Sequence, residues 1–244
     1  MRVPARLHLL PVALSGADPL GSVPRDTLEA TRRLTRFLAE NAKSARAHLK
    51  AIGHPLPLQQ IDILEIGHHP EAARIDEWLA PLLQGDGAEA GLLSEAGSPG
   101  IADPGASIAA RAHELGVQVV PWSGPCAPVL ALMASGFPGQ HFRFLGYLPQ
   151  DREELAARIR EVERDAAQGE SQVFIETPYR NEKLFEALLA TCRPTTGLCV
   201  VVELGTPREQ IASRGIASWR ALAPDARPAL SRRPAVFVLG ATAP

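Results

Sequence analysis

The chain has 244 residues, 45% hydrophobic and 21% charged, which is enough apolar material for a buried core and excludes a disordered or coiled-coil protein. Lys and Arg number 25 against 27 Asp and Glu, and the net charge of −2 excludes a global basic field. Three cysteines, Cys126, Cys192 and Cys199, form no C-x-x-C pair, so neither a disulfide framework nor a zinc knuckle is expected.

Short β-type runs alternate with helix-period segments along the whole chain. In the first half, 5–12, 34–40, 61–67, 89–95 and 117–122 read as strands, and 26–33, 42–52, 70–83 and 103–116 as helices. The last of these carries Ile108, Ala112 and Leu115 at helical spacing, with Asp103 as its expected N-cap, Pro104 at its first position and Gly116 as its stop. In the second half, strands are expected at 142–148, 171–177, 197–205 and 234–240, and helices at 151–169 and 180–192. This alternation predicts two α/β domains with largely parallel sheets. The boundary is placed in PWSGPCAP, giving domains 1–122 and 123–244. No apolar stretch approaches the ~18 residues of a membrane span, and the N-terminus lacks a signal-peptide pattern, so a soluble cytoplasmic protein is expected.

Charge is uneven. Residues 25–50 hold seven basic and three acidic side chains, and residues 51–122 hold two basic and ten acidic ones. The basic stretch reads either as a track for a phosphate backbone or as a solvated helix face. His68-His69 reads as a loop before a helix rather than a metal site, and no metal is expected.

The densest chemical signal is LLSEAGSPGIADPG (92–105), where a buried-type strand runs into glycines and prolines before a helix. SGPCAPVLALMASG (123–136), FIETPYR (174–180) and VVELGTPREQI (201–211) place similar residues next to other elements. Such loops point to a ligand cleft between the domains.

SEAGSPGIADPG followed by SGPCAPVLALMASG resembles the tetrapyrrole methylase superfamily, and FLGYLPQ, FIETPYR and VELGTPREQ are similar to its ribosomal RNA small subunit methyltransferase I branch. The resemblance implies an S-adenosylmethionine-dependent methyltransferase, usually a homodimer, with the methyl donor held between two α/β domains. It implies cofactor contacts from Ala96, Gly97, Ser98, Ile101, Cys126 and Ala127, and from Glu176, Thr177, Gly205 and Thr206. The N-terminal turn PVALSGADPLG, Asn41 and Glu95 differ from the branch's usual residues, which marks a variant subfamily.

The resemblance places Glu40 at a strand end facing the cleft, as the base for a ribose 2′-hydroxyl of small-subunit rRNA; the same carboxylate also reads as a helix cap or ion-pair partner. Lys43 and Arg46 would hold RNA phosphates. A porphyrinoid acceptor and a non-catalytic S-adenosylmethionine-binding protein are the alternatives.

Overall fold

The computed structural model describes residues 3–242. The chain divides into two compact units, Met1–Cys126 and Ala127–Pro244. The division falls inside PWSGPCAP, after Cys126 rather than after Trp122. Among the described residues, no helix is long and apolar enough to cross a membrane.

The first unit contains strands β1 (Arg6–Leu10), β2 (Arg36–Ala39), β3 (Asp62–Glu65), β4 (Glu89–Leu93) and β5 (Gln118–Pro121). All neighbours are parallel, in the order β3-β2-β4-β1-β5. Its helices are α1 (Pro19–Ser22), α2 (Arg25–Arg33), α3 (Ala42–Ala51), α4 (Ile75–Gln84) and α5 (Ala106–Glu114). Period-two side chains cover both sheet faces. Leu10, Phe37, Ala39 and Leu93 pack with Leu28, Ala45 and Leu49 from α2 and α3. Leu7, Leu38, Ala90 and Leu92 pack with Trp78, Leu79, Ile108 and Ala112 from α4 and α5. Gly91 lets the first layer close over β4, since a Cβ there would stand 2.7 Å from both Leu10 and Phe37.

The start of α5 corrects one sequence expectation. Asp103 does not cap it, and Pro104 lies outside it; Gly105 is the N-cap, at φ +145°. The chain doubles back here so tightly that a Cβ on Gly105 would lie 3.0 Å from the Gly100 nitrogen. Only glycine suits that conformation, and the helix begins after it. The Asp103 carboxyl is thereby free for another role. The expected helix over 70–83 is likewise split, into a 3-10 turn (Ala72–Arg74) and α4.

The second unit contains β6 (Phe142–Tyr147), β7 (Ser171–Glu176), β8 (Gly197–Val202), β9 (Gln210–Gly215) and β10 (Ala235–Gly240), in the order β6-β7-β10-β8-β9. Its helices are α6 (Ala127–Ser135), α7 (Arg152–Ala167), α8 (Asn181–Thr191) and α9 (Ile216–Ala221). Only β6 and β7 pair in parallel; β10 runs antiparallel to β7 and β8, and β9 antiparallel to β8. The apolar run LCVVV shows that β8 is covered on both faces, as it is, but carries no information on the direction of its neighbours. In α7, the stripe Leu155, Ile159 and Val162 is buried, and the Asp151 carboxylate accepts the N–H groups of Glu153 and Glu154. Trp219 anchors α9, donating to the Leu198 carbonyl at 2.9 Å and meeting Phe185 edge-on.

Candidate active site at the carboxyl end of the first sheet

In the first unit, α3 leaves β2 toward one face of the sheet, whereas α5 follows β4 onto the other. Because β2 and β4 are neighbours, their outgoing loops diverge and open a crevice at their carboxyl ends, the usual ligand position in open parallel sheets. Glu40 follows β2, Glu65 closes β3, His68 follows it, and Glu95 and Asp103 lie beyond β4.

Glu40 is buried, at 5% exposure, yet both of its oxygens are engaged. Oε1 lies 2.5 Å from Nδ1 of His68, and Oε2 accepts the backbone N–H of Glu95 at 2.8 Å. The imidazole of His68 is exposed. Its hydrogen bond to Glu40, followed by the charge of the same carboxylate, holds the histidine above its ordinary pKa. A proton on Nδ1 shared with Glu40 leaves Nε2 as the acceptor of the neutral ring.

Asp103 completes the cluster. Burial, then repulsion from Glu40 and Glu95, pushes its carboxyl up to about 7, partly opposed by His68. Ser44 donates to Glu95 at 3.3 Å, and Ala42 N–H donates to Glu65 at 2.8 Å. Asn41 caps α3, its side-chain oxygen accepting from Lys43 and Ser44 N–H at 2.9 and 3.1 Å. The positive end of α3 therefore faces the carboxylates. Among the described residues, no Lys or Arg pairs with Glu40, Glu95 or Asp103. The donor atoms of Glu40, His68 and Glu95 lie within 4.8 Å of one another, close enough to hold a metal ion, although such an ion would compete with the His68–Glu40 hydrogen bond.

The Gly- and Pro-rich turns meet beside this cluster. Gly97, at φ +78°, offers its carbonyl to Val12 N–H at 2.9 Å and to Ser94 Oγ at 3.0 Å. Ser98 Oγ donates to the Pro125 carbonyl at 2.9 Å, so the 94–101 and 124–126 segments touch. A Cβ on Gly97 would come within 3.3 Å of that carbonyl. Ala96 and Cys126 are half-buried, and Ile101 presents an exposed apolar side chain. Ala127 opens α6 in the second unit.

Lys43 and Arg46 are exposed on α3, but most of the surrounding basic stretch is already used within the fold. Arg32 caps the Ile52 carbonyl, Arg36 pairs with Asp62 and Arg25 with Glu29.

In the second unit, Glu176 and Val202 both pair with Ala235, so the loops after β7 and β8 leave the same edge of the sheet. That edge brings Glu176 and Thr177 together with Gly205 and Thr206. Glu176 accepts Thr177 N–H at 2.7 Å and lies 3.1 Å from Arg180. Gly205 N–H donates to Glu209 at 2.7 Å, and Thr206 Oγ1 accepts from Arg208 N–H at 3.1 Å.

Sequence reasoning missed Glu65, His68 and Asp103 as members of the first cluster. Only His68 carried a positional signal, directly after the expected strand 61–67; Glu65 lies within that strand, and Asp103 was expected as a helix cap.

The sequence profile of the tetrapyrrole (corrin/porphyrin) methylases matches residues 18–217. The chain belongs to this family. Among curated relatives, it is 32% identical over 181 residues to the ribosomal RNA small subunit methyltransferase I of Mesorhizobium japonicum, covering 73% of this chain and 58% of the relative. It is 28% identical to the protein of the same name from Halalkalibacterium halodurans, over 71% of this chain and 57% of the relative. The chain thus spans less than two thirds of the length of these relatives. Two solved structures share its fold: a uroporphyrin-III-C-methyltransferase from Thermus thermophilus (TM-score 0.55, 19% identity, 97% of this chain and 92% of that one) and the methyltransferase CobJ (TM-score 0.61, 18% identity, 97% and 94%).

Proposed function

We propose that this tetrapyrrole methylase-family chain is an S-adenosylmethionine-dependent methyltransferase whose acceptor is a ribose 2′-hydroxyl of small-subunit rRNA. The acceptor class follows the names of its curated relatives. One observation carries the chemistry: Glu40 bonds both His68 and the N–H of Glu95, the residue that precedes the Ala96-Gly97-Ser98 turn. A proton acceptor is thereby tied to the expected cofactor loop.

The donor set fits the cofactor. S-adenosylmethionine carries a sulfonium and an ammonium, and the carboxylate-rich crevice is unmatched by Lys or Arg among the described residues. Ala96, Gly97, Ser98, Ile101 and Cys126 would hold it, and the resemblance adds Ala127, Glu176, Thr177, Gly205 and Thr206 as cofactor contacts. Bound there, it supplies an activated methyl group for in-line displacement. His68 Nε2 would take the proton of the acceptor hydroxyl. Glu40, with both oxygens engaged, acts by positioning: it fixes the ring and stabilises the imidazolium. Lys43 and Arg46 bind phosphate near the mouth of the crevice. A homodimer in the cytoplasm accords with the same resemblance.

The test uses purified protein, methyl-labelled S-adenosylmethionine and undermethylated small ribosomal subunits. The expected result is label in rRNA as alkali-resistant 2′-O-methyl nucleotide. Cofactor binding without labelling of any RNA removes the RNA assignment. Labelling of a porphyrinoid instead establishes the alternative acceptor, the class named in the family's description.

A further inference from the structure

The second unit carries a surface whose aromatic and cationic side chains take no part in the chemistry above. Tyr179, in the loop after β7, is 80% exposed, an unusual position for a large aromatic side chain. The guanidinium of Arg232 lies over its ring, 6.0 Å from the centroid. This pairing is built into the backbone. Arg232 adopts φ +57°, in the left-handed region that non-glycine residues seldom enter, and its N–H donates to the Pro178 carbonyl at 3.0 Å. The residue before Tyr179 thus fastens the turn carrying Arg232 in place.

Further cations are linked to the turn that carries Arg232. Arg233 is held by Glu203 at 2.6 Å and donates to the Arg208 carbonyl at 2.9 Å. Arg208 also reaches Glu203, at 2.7 Å, while 79% of its side chain stays exposed. Arg180 lies against Glu176. Three guanidinium groups, Arg180, Arg208 and Arg233, therefore pair with two buried carboxylates, Glu176 and Glu203, and among the described residues no carboxylate pairs with Arg232. The patch keeps a positive excess around an exposed aromatic face, the combination that binds single-stranded nucleic acid by stacking a base and neutralising adjacent phosphates.

We propose that Tyr179 and Arg232, flanked by Arg208, form a single-stranded RNA platform on which one unpaired base stacks. The proposal rests on the RNA reading of the function and names the surface that receives it. It also locates RNA contact in a different place from the basic stretch at 25–50, whose arginines are largely consumed within the fold.

The experiment measures fluorescence anisotropy of a labelled single-stranded RNA dodecamer, and of a duplex of the same length, with the full chain and with Tyr179→Ala, Tyr179→Phe, Arg232→Ala and Arg208→Ala. Loss of the stacking face should weaken single-strand binding about tenfold in Tyr179→Ala, while Tyr179→Phe keeps it. Arg232→Ala should weaken it too, and Arg208→Ala should lower the salt slope by about one. Circular dichroism confirms that each variant folds, as expected for exposed side chains. If wild type binds the RNA and Tyr179→Ala binds equally well, the platform is wrong while the RNA reading survives. If wild type binds no RNA, or instead binds only phosphatidylserine vesicles, both are overturned.

Discussion

Nδ1 of His68 stands 2.5 Å from Oε1 of Glu40, an exposed imidazole fixed to a buried carboxylate whose other oxygen holds the backbone of Glu95. The arrangement separates two jobs that a lone glutamate would have to combine. Glu40 has no oxygen left for a substrate proton, whereas His68 has a free outer nitrogen facing solvent.

The pH dependence tests this division. A base must be unprotonated, so the rate of methyl transfer should rise through a pKa above 6.5, where Glu40 holds His68. Glu40→Gln removes the charge and should move that limb to lower pH, with a lower plateau. His68→Asn should abolish the limb and cost on the order of 10²–10⁴ in rate, while cofactor affinity measured by calorimetry stays within a few fold. Because the histidine's folded pKa is raised, any stability it contributes is full below pH 6.5 and lost as pH rises through the higher value. An unchanged profile in Glu40→Gln would exclude the pair from the reaction.

Asp103 gives a stability prediction of the same sign in pH. Its carboxyl is pushed up to about 7, so the folded protein retains a proton that the unfolded chain loses near the ordinary value of 3.8. Stability then falls as pH rises from about 4 to 7. Asp103→Asn should be more stable than wild type at pH 8, by about 1 kcal/mol after allowance for partial exposure, and the gain should vanish near pH 4. Urea denaturation at the two pH values measures it; a loss of stability at pH 8 would show that ionised Asp103 is favourably held.

Gly97→Ala probes the turn beside the cluster. The substitution puts a side chain at φ +78° and within 3.3 Å of the Pro125 carbonyl, so the 94–101 turn must shift. At about 1–3 kcal/mol of strain, the expected result is a cofactor affinity lower by about tenfold in calorimetry. Affinity equal to wild type would place the cofactor elsewhere.

Asn41 is the cap of α3. Asn41→Ala should cost about 1 kcal/mol in thermal or urea unfolding, and Asn41→Asp should be nearly neutral, because both side chains accept the same N–H bonds. A large loss in the aspartate variant would show that added charge beside Glu40 and Glu95 outweighs the cap.

Much of this molecule is legible along the chain. The period-two strands and the stripes of α5 and α7 are local patterns, and the buried Ile108, Ala112, Leu155, Ile159 and Val162 follow from helical spacing alone. Strand β9 and helix α9 escaped notice because QIASRG alternates weakly and IASWRA is a short helix held by Trp219, a tertiary contact. The antiparallel placement of β10 was equally hidden, because an apolar strand covered on both faces looks the same in either direction.

Sequence alone determined the elements, the α/β alternation and the Gly- and Pro-rich turns, because these depend on neighbouring residues and their backbone preferences. The tertiary structure decided which residues share a site. Glu40, His68, Glu95 and Asp103 are scattered over 64 positions of the chain and meet because the strand order β3-β2-β4 gathers three loops at one sheet end. Burial and repulsion then raise the pKa of Asp103, and the Glu40 hydrogen bond raises that of His68; neither exists until the sheet has formed.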